Sequence, residues 1–382
     1  MRKFILPALM LITSTLSANW TDKVTLNGYF NFEFEEHLSG FSDWPTHEYS
    51  SFDSDMVDLV LNVQATDRLR LAADFTWEHG SQSEVDKGNV GYEYAFAEYT
   101  LSDSLRFRAG KMFIPFGIYN EIHTAKPSTI IVKEPNPTNK MYYISSGLES
   151  TLLYPRWGTG IALLGNSEIY NIPFDYIVQI TNGDISYGVD KNQYDKDDNN
   201  QKAIAARIRM DLTDNLQIGA SFYHDKALNY ESVYETKIKT NSDANDVNIT
   251  SKAYVPVGDM VIDSQGIQMI WHINDDIRLE MEYMTGTLDV EGSSSFRRSG
   301  FSILPSYFVS ENINLYFLYS KADPNHSTSN NSVVNYAPGV NIEIDHNMFL
   351  KADLYNVESN DNNLIFKGDS YREFRVALAI GF

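Results

Sequence analysis

The 382-residue chain has no cysteine, so whatever holds it together must be backbone pairing and packing, not disulfides. Beyond its first eighteen residues it has no apolar run approaching the roughly twenty residues of a membrane-spanning helix. Basic residues are scarce: 30 Lys and Arg against 51 Asp and Glu give a formal charge of −21, which would repel phosphate backbones and excludes general nucleic-acid binding. Catalytic signatures are missing as well. There is no G-x-S-x-G elbow and no H-E-x-x-H, and the eight histidines are scattered, none at metal-binding spacing from another. No catalytic residue, cofactor or metal is expected, and the chain does not read as an enzyme.

What is present begins with a leader. Arg2 and Lys3 precede an apolar stretch from Phe4 to Thr13, and Ser17-Ala18 supplies small residues before a cut, so residues 1–18 read as a signal peptide and 19–382 as the mature chain. The apolar stretch is too short for an anchor, and Pro7 interrupts it.

The mature chain alternates. Val57, Leu59, Leu61 and Val63 share one parity, while Asp58, Asn62 and Gln64 share the other. Leu69, Leu71, Ala73, Phe75 and Trp77 oppose Arg70, Asp74, Thr76 and Glu78 in the same way, and Ile277, Leu279, Met281 and Tyr283 oppose Arg278, Glu280 and Glu282. A period of two is a strand with a different solvent on each face. A soluble sandwich also alternates, but the charged parity here is too charged to line a dry core. The 24 Tyr, 21 Phe and 5 Trp are enough to furnish the two interfacial girdles of a membrane barrel.

Tight polar turns fall at Thr66-Asp67-Arg68, Ser102-Asp103-Ser104, Thr213-Asp214-Asn215, Asn274-Asp275-Asp276, Ser310-Glu311-Asn312 and His346-Asn347, with a looser one near Asn166 to Ile172. Longer Asp/Asn/Ser/Gly-rich loops separate them. Seven turns and eight loops imply an all-β fold, a transmembrane antiparallel up-and-down barrel of about 16 strands. Such a barrel is wide enough to keep an aqueous lumen. The last strand, from Tyr371, sends Phe374, Val376, Leu378, Ile380 and Phe382 outward and Glu373 and Arg375 inward.

One stretch breaks the alternation. Residues 114–157 carry Pro115, Pro127, Pro135, Pro137 and Pro155, so they cannot be a ladder of strands. Ile130, Ile131, Val132 and Met141 to Ile144 nevertheless call for burial. The stretch reads as a structured loop folded into the bore, where it narrows a passage. Lys126, Lys133 and Lys140 fall seven apart in it, beside Glu121 and Glu134. Arg106 and Arg108 approach from the strand before it, and Arg207 and Arg209 share one face of a later strand. Together these nine are the expected constriction, a transverse field that would discriminate among solutes by charge. The blander reading, arginines paired with neighbouring carboxylates to hold the barrel's shape, stays open.

The segment Gly110-Lys-Met-Phe-Ile-Pro-Phe-Gly117 resembles the strand-to-loop junction of Gram-negative porins of the phosphate-selective O and P group and related trimeric porins. The resemblance implies a homotrimer in the outer membrane, a passive pore per subunit for small hydrophilic solutes, an inward third loop at 114–157, and a terminal Phe read by the barrel-assembly machinery. Contacts with outer-membrane lipid and lipopolysaccharide follow from the same picture. The sequence departs from the dense arginine ladder of the phosphate-selective members: Glu33, Glu35, Asp58, Asp74 and others share the lumen parity, so the wall is not purely anion-attracting, and an anion or organic-acid preference is expected only from the basic residues at the constriction. Asp195-Lys-Asp197-Asp-Asn199 imitates a calcium loop, but Asn200 replaces the Gly it needs and Ala206 the bidentate Glu. The other class to weigh is a barrel that only displays loops for adhesion or ligand binding, with Lys226 to Met260 as the display element.

Overall fold

A computed structural model describes residues 23–39, 50–78, 90–121, 127–135, 153–183, 199–239, 247–292, 295–323, 325–326, 331–359 and 370–382. The leader, Lys126, Lys140, Met141 to Ile144 and the Asp195–Asp198 stretch lie outside these residues.

Sixteen strands follow in sequence: β1 (Val24–Ser39), β2 (Ser51–Gln64), β3 (Leu69–Glu78), β4 (Gly91–Ser102), β5 (Leu105–Phe113), β6 (Trp157–Ile169), β7 (Ile172–Thr181), β8 (Ala203–Thr213), β9 (Leu216–Lys239), β10 (Val247–His272), β11 (Ile277–Val290), β12 (Phe296–Ser310), β13 (Ile313–Asp323), β14 (Val333–Asp345), β15 (Met348–Ser359) and β16 (Tyr371–Gly381). Each pairs antiparallel with its sequence neighbours, and β1 pairs with β16, so the sheet closes and leaves no edge. At the seam the Gly28 and Phe382 amides each donate to the other's carbonyl at 2.9 Å. A Cβ on Gly28 would lie 2.5 Å from the Phe382 ring, so the close approach requires glycine there.

Exposure is distributed the opposite way from a water-soluble sandwich. Leu71, Ile161, Leu163, Val178, Ile180 and Phe317 are exposed, while Asn31, Gln179, Ser264, Ser320, Asp353 and Arg375 are buried. Apolar side chains face outward and polar ones inward, as the alternation predicts for a wall with lipid outside and water within.

Two expectations change. The turn near Asn166 to Ile172 is tight: β6 and β7 are joined by Tyr170 and Asn171 alone, at φ 52° and 63°. That is the left-handed pair of a two-residue hairpin turn, whose twist matches that of the strands it joins. Lys226 to Met260 is paired strand for most of its length, since β9 and β10 stay in register from Leu216↔Trp271 to Lys239↔Val247. Its polar side chains suggest a loop, but the backbone ladder continues, with one register shift between Pro256 and Gly258 where proline can donate no hydrogen bond.

Candidate functional site

β5 ends at Phe113 and β6 starts at Trp157, so the connection between them occupies the interval the prolines marked. Its described residues bond to side chains on the buried polar face of the barrel. Gly117 N–H donates to Ser221 Oγ at 3.0 Å, Ile118 N–H to Glu282 Oε1 at 3.2 Å, and the Tyr119 hydroxyl to Glu280 Oε2 at 2.8 Å. Burial, then the Glu280 carboxylate, holds that hydroxyl well above the ordinary phenol value, so it stays a donor. Ser264 Oγ donates to the Leu153 carbonyl. On the far side Lys351 Nζ donates to the Thr129 carbonyl and, at 3.1 Å, to its hydroxyl. Gly117 sits at φ 63°, and a Cβ there would fall 1.5 Å from Glu282 Oε1. Only glycine permits both the backbone shape and the contact.

Apolar packing reinforces these bonds. Phe116 stacks on Tyr154 with centroids 4.0 Å apart, in a cluster with Tyr223, Met260 and Met284. Tyr119 and Ile131 join Leu304, Tyr316 and Tyr355, and Val132 packs on Ala377. The described contacts of the connection thus run from β8 to β16. The burial demanded by Ile130, Ile131 and Val132 is met by packing against residues of β12 to β16.

The opposite part of the wall carries a different arrangement. Arg70, Glu98 and Arg108 are cross-strand partners on β3, β4 and β5. Arg106 shares the parity of Arg108. Arg108 Nη2 lies 2.6 Å from Glu98, Arg70 Nη2 3.3 Å and Arg106 Nη1 3.5 Å. Arg108 also lies over Phe96, its guanidinium carbon 4.0 Å from the ring centroid. Three guanidiniums share one carboxylate, and Asp74 and Asp58 act on the neighbouring Tyr94 together with Arg70 and Arg108. The Arg70 and Arg106 side chains are 37% and 38% exposed while Glu98 is 5% exposed, so the guanidiniums rather than their shared carboxylate face water.

The remaining expected site residues fall into separate pairs. Arg207 reaches Glu121 at 2.9 Å and the Gly117 carbonyl at 3.2 Å. Arg209 pairs with Asp175 at 3.0 Å, and Glu134 with Arg156 at 3.0 Å. Lys133 Nζ stands 5.9 Å from the Tyr355 ring centroid. Arg106 and Arg108 therefore meet around Glu98, and Arg207 meets Glu121, but the two groups belong to different parts of the wall. Glu98, Arg156, Ser221, Glu282 and Lys351 did not stand out as site residues in the sequence. Glu98 carries a signal there: it and Arg108 are equally distant from Asp103, the centre of a tight turn, which makes them cross-strand partners.

No family model matches the chain. An uncharacterised protein of Aquifex aeolicus (strain VF5) is 26% identical over 177 residues, which is 43% of this chain and 37% of that protein's length. Among solved structures, the anion-selective porin from Comamonas acidovorans superimposes with a TM-score of 0.62 at 10% identity, over 94% of this chain and 99% of that one. OmpT of Vibrio cholerae, an outer membrane protein in its trimer form, gives 0.57 at 12% identity, over 94% and 99%. The outer membrane channel DcaP of Acinetobacter baumannii gives 0.54 at 13% identity, over 94% and 96%. At such identities the likeness is one of architecture, and it establishes that the chain has the closed 16-strand barrel fold of bacterial outer-membrane porins.

Proposed function

We propose that the protein is an outer-membrane porin: a water-filled channel for passive diffusion of small hydrophilic solutes and ions, narrowed by the connection of residues 114–157. The observation that carries this reading is the apolar-out, polar-in wall closed over sixteen strands, a circumference too large for wall side chains alone to fill. Export of residues 19–382 through the periplasm, behind the leader, belongs to the same reading.

The contacts of the connection support a constriction. Among the described residues they run from β8 to β16, and in this reading the β3–β5 wall, with Arg70, Arg106 and Arg108, borders the passage. Low-dielectric walls strengthen the field of an unneutralised charge, and a cluster with one carboxylate for three guanidiniums favours anions and organic acids. Glu121, Lys126, Lys133, Glu134, Lys140, Arg207 and Arg209 complete the proposed constriction. The finer tie to phosphate-selective porins rests on residues 110–117 alone. The trimer form of the similar OmpT supports a homotrimer set among outer-membrane lipid and lipopolysaccharide.

Planar-bilayer recording of the purified mature protein tests this. Stepwise conductance with an anion-signed reversal potential in a KCl gradient is expected. A folded barrel that gives no steps would return the protein to the display class.

A further inference from the structure

The β9–β10 ribbon runs on past the strands beside it. β8 pairs with β9 no further than Ile204↔His224, and β11 with β10 no further than Met260↔Val290. Beyond those points, among the described residues, the two strands pair only with each other, out to Lys239↔Val247. Residue numbers rise along β9 away from the short turn before Leu216, so the ribbon stands on the side of the long connections. Each of its outer edges is a row of amide and carbonyl groups that another strand could use. The β10 edge is blunted by Pro256 and the register shift beside it. The β9 edge has neither, and its residues follow one another in the ladder without a break from Lys226 to Lys239.

Charges ordinarily protect such an edge, because two copies that meet set like against like. On β9 one arrangement does the reverse. Antiparallel about a twofold axis at Tyr234, residues Asn229 to Lys239 all pair with the same stretch of a second copy. Glu231 then stands opposite Lys237 on both sides of the axis, Tyr230 opposite Ile238, Ser232 opposite Thr236, and Tyr234 opposite its own copy. Opposite charges, an aromatic with a β-branched residue, and paired hydroxyls are cross-strand combinations that favour pairing. Moving the axis by one residue sets Glu235 against Glu235, or Glu231 against Glu235. A parallel contact in register sets every charge against its own kind. Upright copies in one membrane, related by an axis along its normal, present their β9 edges in that parallel sense. The antiparallel contact needs a second copy that is inverted, facing the first from another membrane.

We propose that the ribbon joins this protein to a second copy in an apposed membrane, β9 edge to β9 edge, through an isologous strand pairing centred on Tyr234. That the ribbon points away from the cell rests on the outer-membrane placement proposed above, while passage of solutes plays no part in the contact.

Liposomes carrying the purified mature protein, in two dye-labelled populations, test it by fluorescence cross-correlation. Wild-type vesicles are expected to cluster, and protein-free vesicles to stay apart. Glu231→Lys and Lys237→Glu should each cut clustering by about tenfold, because each sets like charges opposite. Mixing the Glu231→Lys vesicles with the Lys237→Glu vesicles should restore clustering between the two populations, a recovery that misfolding cannot produce. The chain with 229–256 excised and closed by Asn-Gly should not cluster, and it serves if either reversal prevents folding. Heat-modified gel mobility reports the barrel in every variant. Failure of wild type to cluster, clustering by the excised chain, or a mixture of folded reversals as inert as its components would overturn the assignment. So would a different subunit number for wild type and the excised chain within one nanodisc, which would place the contact inside a single membrane. Conductance is recorded on the same wild-type protein: its absence would sink the porin reading, whereas the clustering decides this one.

Discussion

Gly117 shows how one residue sets a connection's path. Its φ of 63° and the 1.5 Å clash a Cβ would make with Glu282 predict that Gly117→Ala detaches the turn from β11. A cost of about 1–3 kcal/mol is expected, read as a lower urea midpoint in vesicles and a changed single-channel conductance. Unaltered values of both would mean that the contact with Glu282 holds nothing in place. Glu98 makes the complementary case. Converting it to Gln removes the one carboxylate that, among the described residues, Arg70, Arg106 and Arg108 share. A single charge near water acts at roughly 1 kcal/mol, so the anion-to-cation permeability ratio should rise about fivefold, and Arg70→Gln with Arg106→Gln should lower it. Reversal potentials in a salt gradient decide between these signs. Charge parity at these positions was legible in the sequence, because alternation tells which side of the wall a residue faces. Height was not: that Arg207 meets Glu121 while Arg209 meets Asp175 depends on where a non-repetitive connection comes to rest, and no periodicity encodes that.

Among elements, short turns were the most readable, since each concentrates Asp, Asn or Ser where the chain reverses. The turn at Tyr170-Asn171 read as loose because a bulky aromatic stands where Asn or Gly is usual for a left-handed pair. Replacing Tyr170 with Asn should therefore stabilise the β6–β7 hairpin by about 0.5–1 kcal/mol, measured as a raised urea midpoint. The β9–β10 hairpin misled for the opposite reason. Asn, Ser, Asp and Lys beyond residue 228 look like loop, yet the ladder reaches Lys239 and Val247. A tilted crossing needs only about ten residues, so strands of 24 and 26 residues project past the bilayer. Excising 229–256 and joining the stumps with Asn-Gly should leave folding and conductance intact. Loss of heat-modified mobility in the shortened chain would mean that the projection helps hold the ring.

At the scale of the whole molecule, the number of strands could be read from turns and loops, because a barrel with both ends on one side must have an even count. The polar interior could be read too, since it is the alternation itself. What lay beyond the sequence was the way the described residues of the connection distribute their contacts over β8–β16. The seam adds a further test. Deleting Phe382 removes two backbone hydrogen bonds to Gly28, about 2 kcal/mol, and should lower the fraction of heat-modifiable protein recovered from membranes.

That seam also has a temporal meaning. Tyr29 pairs with Gly381, so the first strand to be made waits for nearly the whole polypeptide before its partner exists. Ring closure is then a late, long-range event, slow by the loop entropy it must overcome. Until it happens the leading edge of β1 is an open template for pairing with any passing strand. A nascent copy of this protein is therefore open to mispairing along that strand, and its vulnerability to aggregation ends only when its two extremities meet.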